Sequence, residues 1–501
     1  MLVPSGGHRS RGCPSGPYCR LVHDLESWVR AAFWRFGIGL KVRENTDKPQ
    51  RTESLRSRLD GLRPVLSVVF LAAYVWQTFA PGSFGTTLFL GVGASLFAIS
   101  VPWSSTFHRG FALIAFATLG LVIFRGRFEF ADFYEGMPTY FGIVAVLLVL
   151  SIAGYPIRAV RYEVQIRALM AALTRRGVSI KATAGALGHV LGAVLDVGAF
   201  VLIDVISGRA APKERLEALK WAGRAFSFAP LWTNLNVLTA TTIVLTGVSY
   251  PKLLAVTLPF VILGLAGTLI FAQRAGGEVE EIPQTPLDRG AAAILLYPVL
   301  LIAAVALVNL IFSELPLTAA IAITVATIVL CIAALAAALT RRVSPLARLG
   351  RETRGSLTSS HAEFALFGSA GILVLSLKAL GALAPLGDLL SALPTVLVAP
   401  ALALIMAIGF VVGIHVIPMV LLLNTAFPLD GGPAPALWAA ALLLGAQSTL
   451  LLTPFSSAVT MLSRLTGLHP LEIGPRRNLG FELIVSAAAM LYLGLLTLLL
   501  L

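Results

Sequence analysis

Two short stretches hold the neutral donors and acceptors best placed to bind a small polar solute. The first reads Phe228-Ala229-Pro230-Leu231-Trp232-Thr233-Asn234-Leu235-Asn236-Val237-Leu238-Thr239 and offers Thr233, Asn234, Asn236 and Thr239. The second, about 220 residues later, runs from Gln447 to Thr460 and sets Thr453, Ser456, Ser457 and Thr460 around Pro454. Both lie in sequence apolar enough to sit inside a bilayer. Proline removes an N–H donor and clashes with the preceding turn, so each stretch is expected to break or kink a helix. In hydrocarbon the freed backbone groups need partners in protein or in a wet cavity. A broken helix also turns N–H groups and the positive end of its dipole towards that cavity, where an anion can bind. Carbonyls of the unwound stretch can hold Na+, and Ser, Thr and Asn add donors without a buried charge. The competing reading is a proline kink whose hydroxyls satisfy their own backbone. Downstream, the two stretches continue as Leu245-Thr246-Gly247 and Leu465-Thr466-Gly467; proline to Thr-Gly is sixteen residues in one and twelve in the other. The difference is about one helical turn. Two polar breaks in matching positions of two halves point to a transporter's binding site.

Ionisable groups at membrane depth are costly and mark function. His189, Asp196 and Asp204 are spaced seven and eight residues apart, which on one helix would form a single polar stripe. Such a stripe could relay a proton or cation, or could pair with neighbouring arginines. Lys378 falls within an apolar run, where it could neutralise a substrate carboxylate or pair with an Asp of the first half, unless the span begins later than about residue 364 and leaves it near an interface. His415, beside Pro418 in Gly413-Ile414-His415-Val416-Ile417-Pro418, marks a helix interruption and could hydrogen-bond the carbonyls freed there. These five residues are the expected ion-coupling set. No metal or cofactor site is expected; Na+ or H+ would enter as the coupling ion.

The elements that would position these residues follow from composition. Of 501 residues 57% are hydrophobic and 13% charged, with mean hydropathy +0.85. Soluble domains carry about twice that charge. Runs of about 20 apolar residues recur, and the short alternating segments of a membrane β-barrel do not. The fold class is therefore all-α, a polytopic transmembrane helix bundle of 11–13 membrane segments with inverted repeats and broken or re-entrant helices. The net charge of +13 is what cytoplasmic loops rich in Lys and Arg produce; it needs no nucleic-acid partner. The three cysteines, Cys13, Cys19 and Cys331, form no disulfide framework.

Residues 1–60 form a basic tail, with residues 1–20 disordered in composition and Leu25–Phe36 readable either as a surface-lying amphipathic helix or as an unstructured leader. Residues 61–157 hold four spans, near 64–80, 84–103, 110–124 and 138–157. Residues 158–340 are the first transporter repeat, 341–478 the second, and 479–501 a C-terminal span. The basic loop after residue 157 places itself and the N-terminus in the cytoplasm. Residues 182–206 lie between two basic loops, so they form either a re-entrant hairpin or an ordinary span that breaks the charge rule.

Enzyme chemistry finds little support. Asn424 to Gly432 resembles part of the site-2 metalloproteases, but no H-E-x-x-H exists to bind zinc, so Pro428–Pro433 reads as a turn between spans. There is no Walker A, Rossmann glycine pattern or Gly-x-Ser-x-Gly elbow.

The paired proline breaks, the basic loop between halves and the interruption at Gly413-Ile414-His415 together resemble the ion transporter superfamily: divalent anion/sodium symporters, citrate transporters and the large membrane subunits of TRAP transporters. The resemblance covers about residues 158–478 and implies two inverted repeats, each with a re-entrant hairpin and an interrupted helix, working as an elevator. The symporters carry Ser-Asn-Thr at each break; here Thr233-Asn234-Leu235-Asn236 matches in part, and Thr453-Pro454-Phe455-Ser456-Ser457 lacks the Asn. The expectation is a secondary transporter of a small organic or inorganic anion in a bacterial inner membrane, its N-terminus cytoplasmic, with a homodimer left open. The alternative is a non-transporting membrane scaffold that binds partners through its basic tail and loops.

Overall fold

The computed structural model describes residues 50–159, 162–207, 211–276, 289–312, 314–411, 416–427, 434–454 and 456–500. The chain divides into Met1–Ser57, of which residues 50–57 are described, and Arg58–Leu501, which holds the bundle. The expected elements at 1–20 and 25–36, the turn at 428–433 and His415 lie outside the described residues.

Every regular element among the described residues is helical. Eight helices are long and apolar enough to cross a membrane, and five shorter apolar ones run 10–17 residues. The chain is an all-α polytopic membrane bundle. Large exposed apolar side chains along its long helices, such as Leu113, Leu263 and Ile484, suit a lipid-facing surface.

The first four long helices are α1 Gln50–Phe79, α2 Ser83–Ser100, α3 Thr106–Phe124 and α4 Phe130–Ala153, with α1 and α4 beginning well ahead of the expected starts near 64 and 138. Their ends have local causes. Pro81-Gly82 separates α1 from α2, and Ser105 caps α3 by accepting from the His108 N–H at 3.4 Å. Short α5 (Tyr155–Ala159) and amphipathic α6 (Tyr162–Arg175) follow. The four spans pack on two later helices, which an aromatic cluster joins to them. Phe70 stacks on Phe89 with ring centroids 4.7 Å apart and meets Phe364 edge-on at 5.1 Å, while Tyr74 donates its hydroxyl to Thr318 at 2.6 Å.

The rest of the bundle contains two matching series of five helices. The first is α7 Ile180–Leu195, α8 Gly198–Ser207, α9 Pro212–Phe226, α10 Val237–Thr246 and α11 Tyr250–Arg274. Between the series come α12 Arg289–Ile311, α13 Leu317–Thr340, α14 Ser344–Ser359, α15 His361–Leu380 and α16 Ala384–Ser391. The second is α17 Thr395–Val411, α18 Val416–Ala426, α19 Pro435–Gln447, α20 Ser457–Thr466 and α21 Arg477–Leu500. In order, the lengths are 16, 10, 15, 10 and 25 residues against 17, 11, 13, 10 and 24.

Packing repeats as well. α7 lies on α8, α9 and α11, as α17 lies on α18, α19 and α21. Across the series the partners exchange: α10 packs on α18 and α19, and α20 packs on α8 and α9. Each series thus lends its fourth helix to the second and third helices of the other. The C-terminal helix α21 stands where α11 stands in the first series.

Segment 182–206 is not one helix. α7 ends at Leu195, Asp196 turns the chain with φ +51°, and α8 folds back onto α7. At 1.5 Å per residue the arms measure about 24 and 15 Å, short of the ~30 Å hydrocarbon core. A hairpin with its tip at Asp196 results.

Candidate functional site

Both stretches are real breaks. After α9 the chain makes a turn, a 3-10 segment at Ala229–Leu231 and an extended residue at Asn236 before α10 begins. After α19 it leaves the helix at Ser448 and resumes at Ser457. Each resumed helix is 10 residues long, capped by a side chain at its start and closed by a left-handed glycine: Asn236 and Gly247 in one, Ser456 and Gly467 in the other. The prolines do not set the register. Pro230 precedes Thr233, whereas Pro454 follows Thr453, so counting from proline misaligns the copies by four residues. A constant interval of 220 aligns Thr233 with Thr453, Asn236 with Ser456, Thr246 with Thr466 and Gly247 with Gly467.

Most hydroxyls of the first break satisfy its own backbone. Thr233 Oγ1 donates to the Ala193 carbonyl at 3.1 Å and accepts from the Leu235 N–H at 3.2 Å. Asn236 Oδ1 accepts from the Leu238 N–H at 2.9 Å, and Thr239 donates to the Pro230 carbonyl. Tyr250 donates its hydroxyl to the Trp232 carbonyl. These bonds replace ladder partners that the break removes. Asn234 is different. It is wholly buried, and Nδ2 donates to the Ile302 carbonyl at 3.3 Å. A carbonyl only accepts, so the amide orientation is settled, and Oδ1 is left buried without a donor.

In the second break Thr453 is buried, and Ser456 is buried and caps α20 by accepting from the Val459 N–H at 3.1 Å. Ser457 is exposed and Thr460 half-buried on α20. Two residues outside the expected set tie this break to its surroundings. Gln447, 1% exposed, donates from Nε2 to Ser227 Oγ at 3.1 Å. Ser227 spends its own proton on the Arg224 carbonyl at 2.7 Å, so Gln447 must present its amide nitrogen, and its Oε1 is a second buried acceptor without a donor. Glu482 on α21 accepts from the Leu451 N–H at 3.2 Å inside the break. Nearby Arg224 donates to Asn478 Oδ1 at 3.0 Å and to the Arg477 carbonyl at 2.9 Å, its guanidinium over the Trp221 and Phe481 rings. A cleft between α9, α20 and α21 has Lys220, Arg477 and Asn478 in its wall.

The expected ion-coupling set is not brought together. The break at Asp196 puts His189 and Asp204 on different helices, so no common stripe exists. His189 Nδ1 faces the Ala225 carbonyl at 2.9 Å and Nε2 accepts from the Trp232 indole at 3.0 Å. A carbonyl cannot donate and an indole N–H cannot accept, so the ring is neutral with its proton on Nδ1. It is a bracket joining α7, α9 and the first break. Asp204 is held by Arg215 in a two-point pair at 2.6 and 2.8 Å. Lys378 is exposed in the last turn of α15, which Gly381 closes, and is not in mid-span. Asp196 alone keeps an unusual place, exposed at the hairpin tip, whose Ala193 carbonyl bonds Thr233.

Sequence reasoning missed Glu482, Gln447 and Arg224. The signal for Glu482 was present: it is the one acid in α21, and the only ionisable residue of that helix besides Arg477 and Tyr492.

These features define an integral membrane protein with paired broken helices. No protein-family profile matches the chain, and no curated protein matches it in sequence. Among solved structures it is similar to the YdaH transporter of Alcanivorax borkumensis, described as having an unusual topology; identity is 15%, coverage 73% of this chain and 86% of that one, and the TM-score 0.43. A likeness of that size assigns no activity.

Proposed function

We propose that the chain is a secondary transporter for a small organic or inorganic anion, driven by Na+ or H+. The observation that carries this is the pairing of the breaks: two series of like order and length place their unwound stretches in the same interior, joined by the Gln447–Ser227 bond. Buried unwound backbone inside a bilayer protein is tolerated where it lines a cavity or is enclosed by protein. Broken helices at a repeat interface are how secondary transporters build their sites. In this reading the series are inverted repeats, the α7–α8 hairpin and the corresponding helices α17 and α18 are their gates, and an elevator movement carries the site across an inner membrane.

The solute's anionic group would meet the Ser457 and Thr460 hydroxyls of the second break, with the N-termini of α10 and α20 supplying positive potential, while Asn234 Oδ1 in the first break, an acceptor without a donor, would take a hydroxyl or N–H of the solute. Thr233, Asn236, Thr239, Thr453 and Ser456 would shape the site. Asp196 would serve the coupling ion at the hairpin tip. Everted and right-side-out vesicles carrying the protein should take up at least one member of a panel of labelled carboxylates and inorganic anions, dependent on an imposed Na+ or pH gradient. Asn234→Ala and Ser456→Ala should abolish that uptake while the protein stays folded by size-exclusion and thermal unfolding. Normal uptake by both variants removes the site assignment.

A further inference from the structure

Glu482 is wholly buried in α21, a helix of membrane-spanning length. Its Oε1 accepts from the Leu451 N–H, within the second break; its Oε2 is buried with no hydrogen-bond partner. One turn on, Ser486 donates to the Ser448 carbonyl at 3.2 Å, so the same face of α21 holds the break at two points. An ionised carboxylate with one oxygen bare in such surroundings is strongly disfavoured unless a donor, a metal cation or a proton compensates it.

Among the described residues no surrounding charged side chain bonds either of its oxygens. Arg224 on α9 is nearby but points Nε and Nη2 at Asn478 and the Arg477 carbonyl. Arg477, at the start of α21, pairs with Glu472 at 2.9 Å. Further along α9, Lys220 pairs with Glu217 at 2.6 Å. α17 and α19 carry no ionisable side chain, and α11 carries only Tyr250, Lys252 and Arg274, close to its ends. A metal cation needs several oxygens around it, yet α17 is apolar after Thr395, and the contact made by Oε1 is an N–H. One proton on Oε2 removes the charge and leaves only a neutral hydroxyl to be accommodated, a far smaller cost than a bare buried anion.

We propose that Glu482 carries a proton in this state and is the group through which the transporter exchanges H+ with the gradient, its release and uptake altering the hold of α21 on the second break. This rests on the transport reading and names its coupling ion. A protonated carboxyl has an infrared C=O band distinct from that of a carboxylate. Full-length protein in liposomes at neutral pH should show such a band, and E482Q should lack it. After transfer to D2O the band should shift while the amide protons of the helical core remain unexchanged, because a coupling group must meet solvent during the cycle and a structural carboxyl need not. Replacing K+ by Na+ should leave it unchanged. As a check needing no variant, a hydrophobic carbodiimide should modify Glu482 in the wild type, mapped by peptide mass spectrometry.

A missing band, a band that Na+ abolishes, deuteration only together with the amide core, or no carbodiimide adduct at Glu482 would each overturn the proposal. None of these readouts uses a solute. An uptake screen that finds no transported anion would thus defeat the transport reading while leaving an exchanging carboxyl in place, and the converse result would defeat only the choice of H+.

Discussion

Gln447 Nε2 donates to Ser227 Oγ across 3.1 Å, and the two residues are equivalent: 220 positions separate them, the interval that aligns Thr233 with Thr453 and Gly247 with Gly467. A residue bonded to its own counterpart lies where two related halves meet. Removing one partner should therefore loosen the junction. Ser227→Ala leaves a buried amide donor unpaired and should cost about 1–3 kcal/mol. Gln447→Leu removes that donor, so the double variant should lose clearly less than the sum of the singles. Thermal unfolding in detergent for the four proteins of the cycle measures the coupling; additivity within about 0.5 kcal/mol would mean the bond contributes nothing.

The two resumed helices end at Gly247 and Gly467, with φ of +64° and +70°, and a Cβ at either would meet no neighbouring atom within 4 Å. Only the backbone conformation then penalises a side chain. Gly247→Ala and Gly467→Ala should each lower stability by about 1–2 kcal/mol. Gly267→Ala, in the interior of α11 with equally free space, should be neutral or stabilising by at most about 1 kcal/mol. Unfolding midpoints compare the three directly, and equal behaviour would show that the left-handed caps are not needed.

How much of this could be read from the sequence depended on how local the cause was. Hydropathy marks where the first long helices lie but not where α1 and α4 begin, because the polar residues that follow Gln50 and Phe130 precede the apolar runs near 64 and 138. The breaks announced themselves through proline and clustered hydroxyls. Their register did not, because Pro230 and Pro454 fall on opposite sides of the paired threonines; the shared features are the caps and the Thr-Gly ends. The kink at Asp196 has neither proline nor glycine at the turning residue, so the sequence left a hairpin and a straight span both open for residues 182–206, and the stripe that a straight span would have formed does not exist. Lys378 was misplaced because Gly381, which ends its helix, looks like any other glycine of an apolar run. Glu482 escaped because a lone acid near the start of a span looks like an interfacial residue until its partner, the Leu451 N–H, is seen.

His189 gives a test of bracket against relay. Both ring nitrogens are engaged, so the ring's contribution comes from its neutral form. His189→Ala should destabilise the protein by about 1–3 kcal/mol, since the Trp232 indole N–H and the Ala225 carbonyl lose their partners. Protonation at Nε2 would set a second donor against that indole. The stability gap between wild type and variant should therefore not widen as pH is lowered past about 6.5, the ordinary histidine value. Unfolding curves on both sides of that pH decide it. A gap that grows on acidification would mean the charged ring is favoured, and the relay role would return.

Inside each series the closest approach of a glycine to another helix's backbone is made between helices that face each other. Gly188 of α7 lies so close to α9 that a Cβ would come within 2.8 Å of the Ala222 carbonyl oxygen; Gly445 of α19 lies so close to α17 that a Cβ would come within 2.3 Å of the Ala403 carbonyl oxygen. In both places the obstacle is backbone, which cannot swing aside as a side chain can. Small residues permit this approach, and van der Waals contact between helices is what remains to hold them when lipid removes the hydrophobic drive. Gly188→Ala and Gly445→Ala should therefore push the helices apart, at about 1–3 kcal/mol each. The effects should be separable. Gly188→Ala displaces the hairpin whose Ala193 carbonyl bonds Thr233, so it should expose the first break to hydrogen exchange, whereas Gly445→Ala should expose the second. Exchange mass spectrometry of residues 227–239 and 447–460 reads both. If either substitution opened the two breaks equally, the pairs α7–α9 and α17–α19 would not be acting as separate supports.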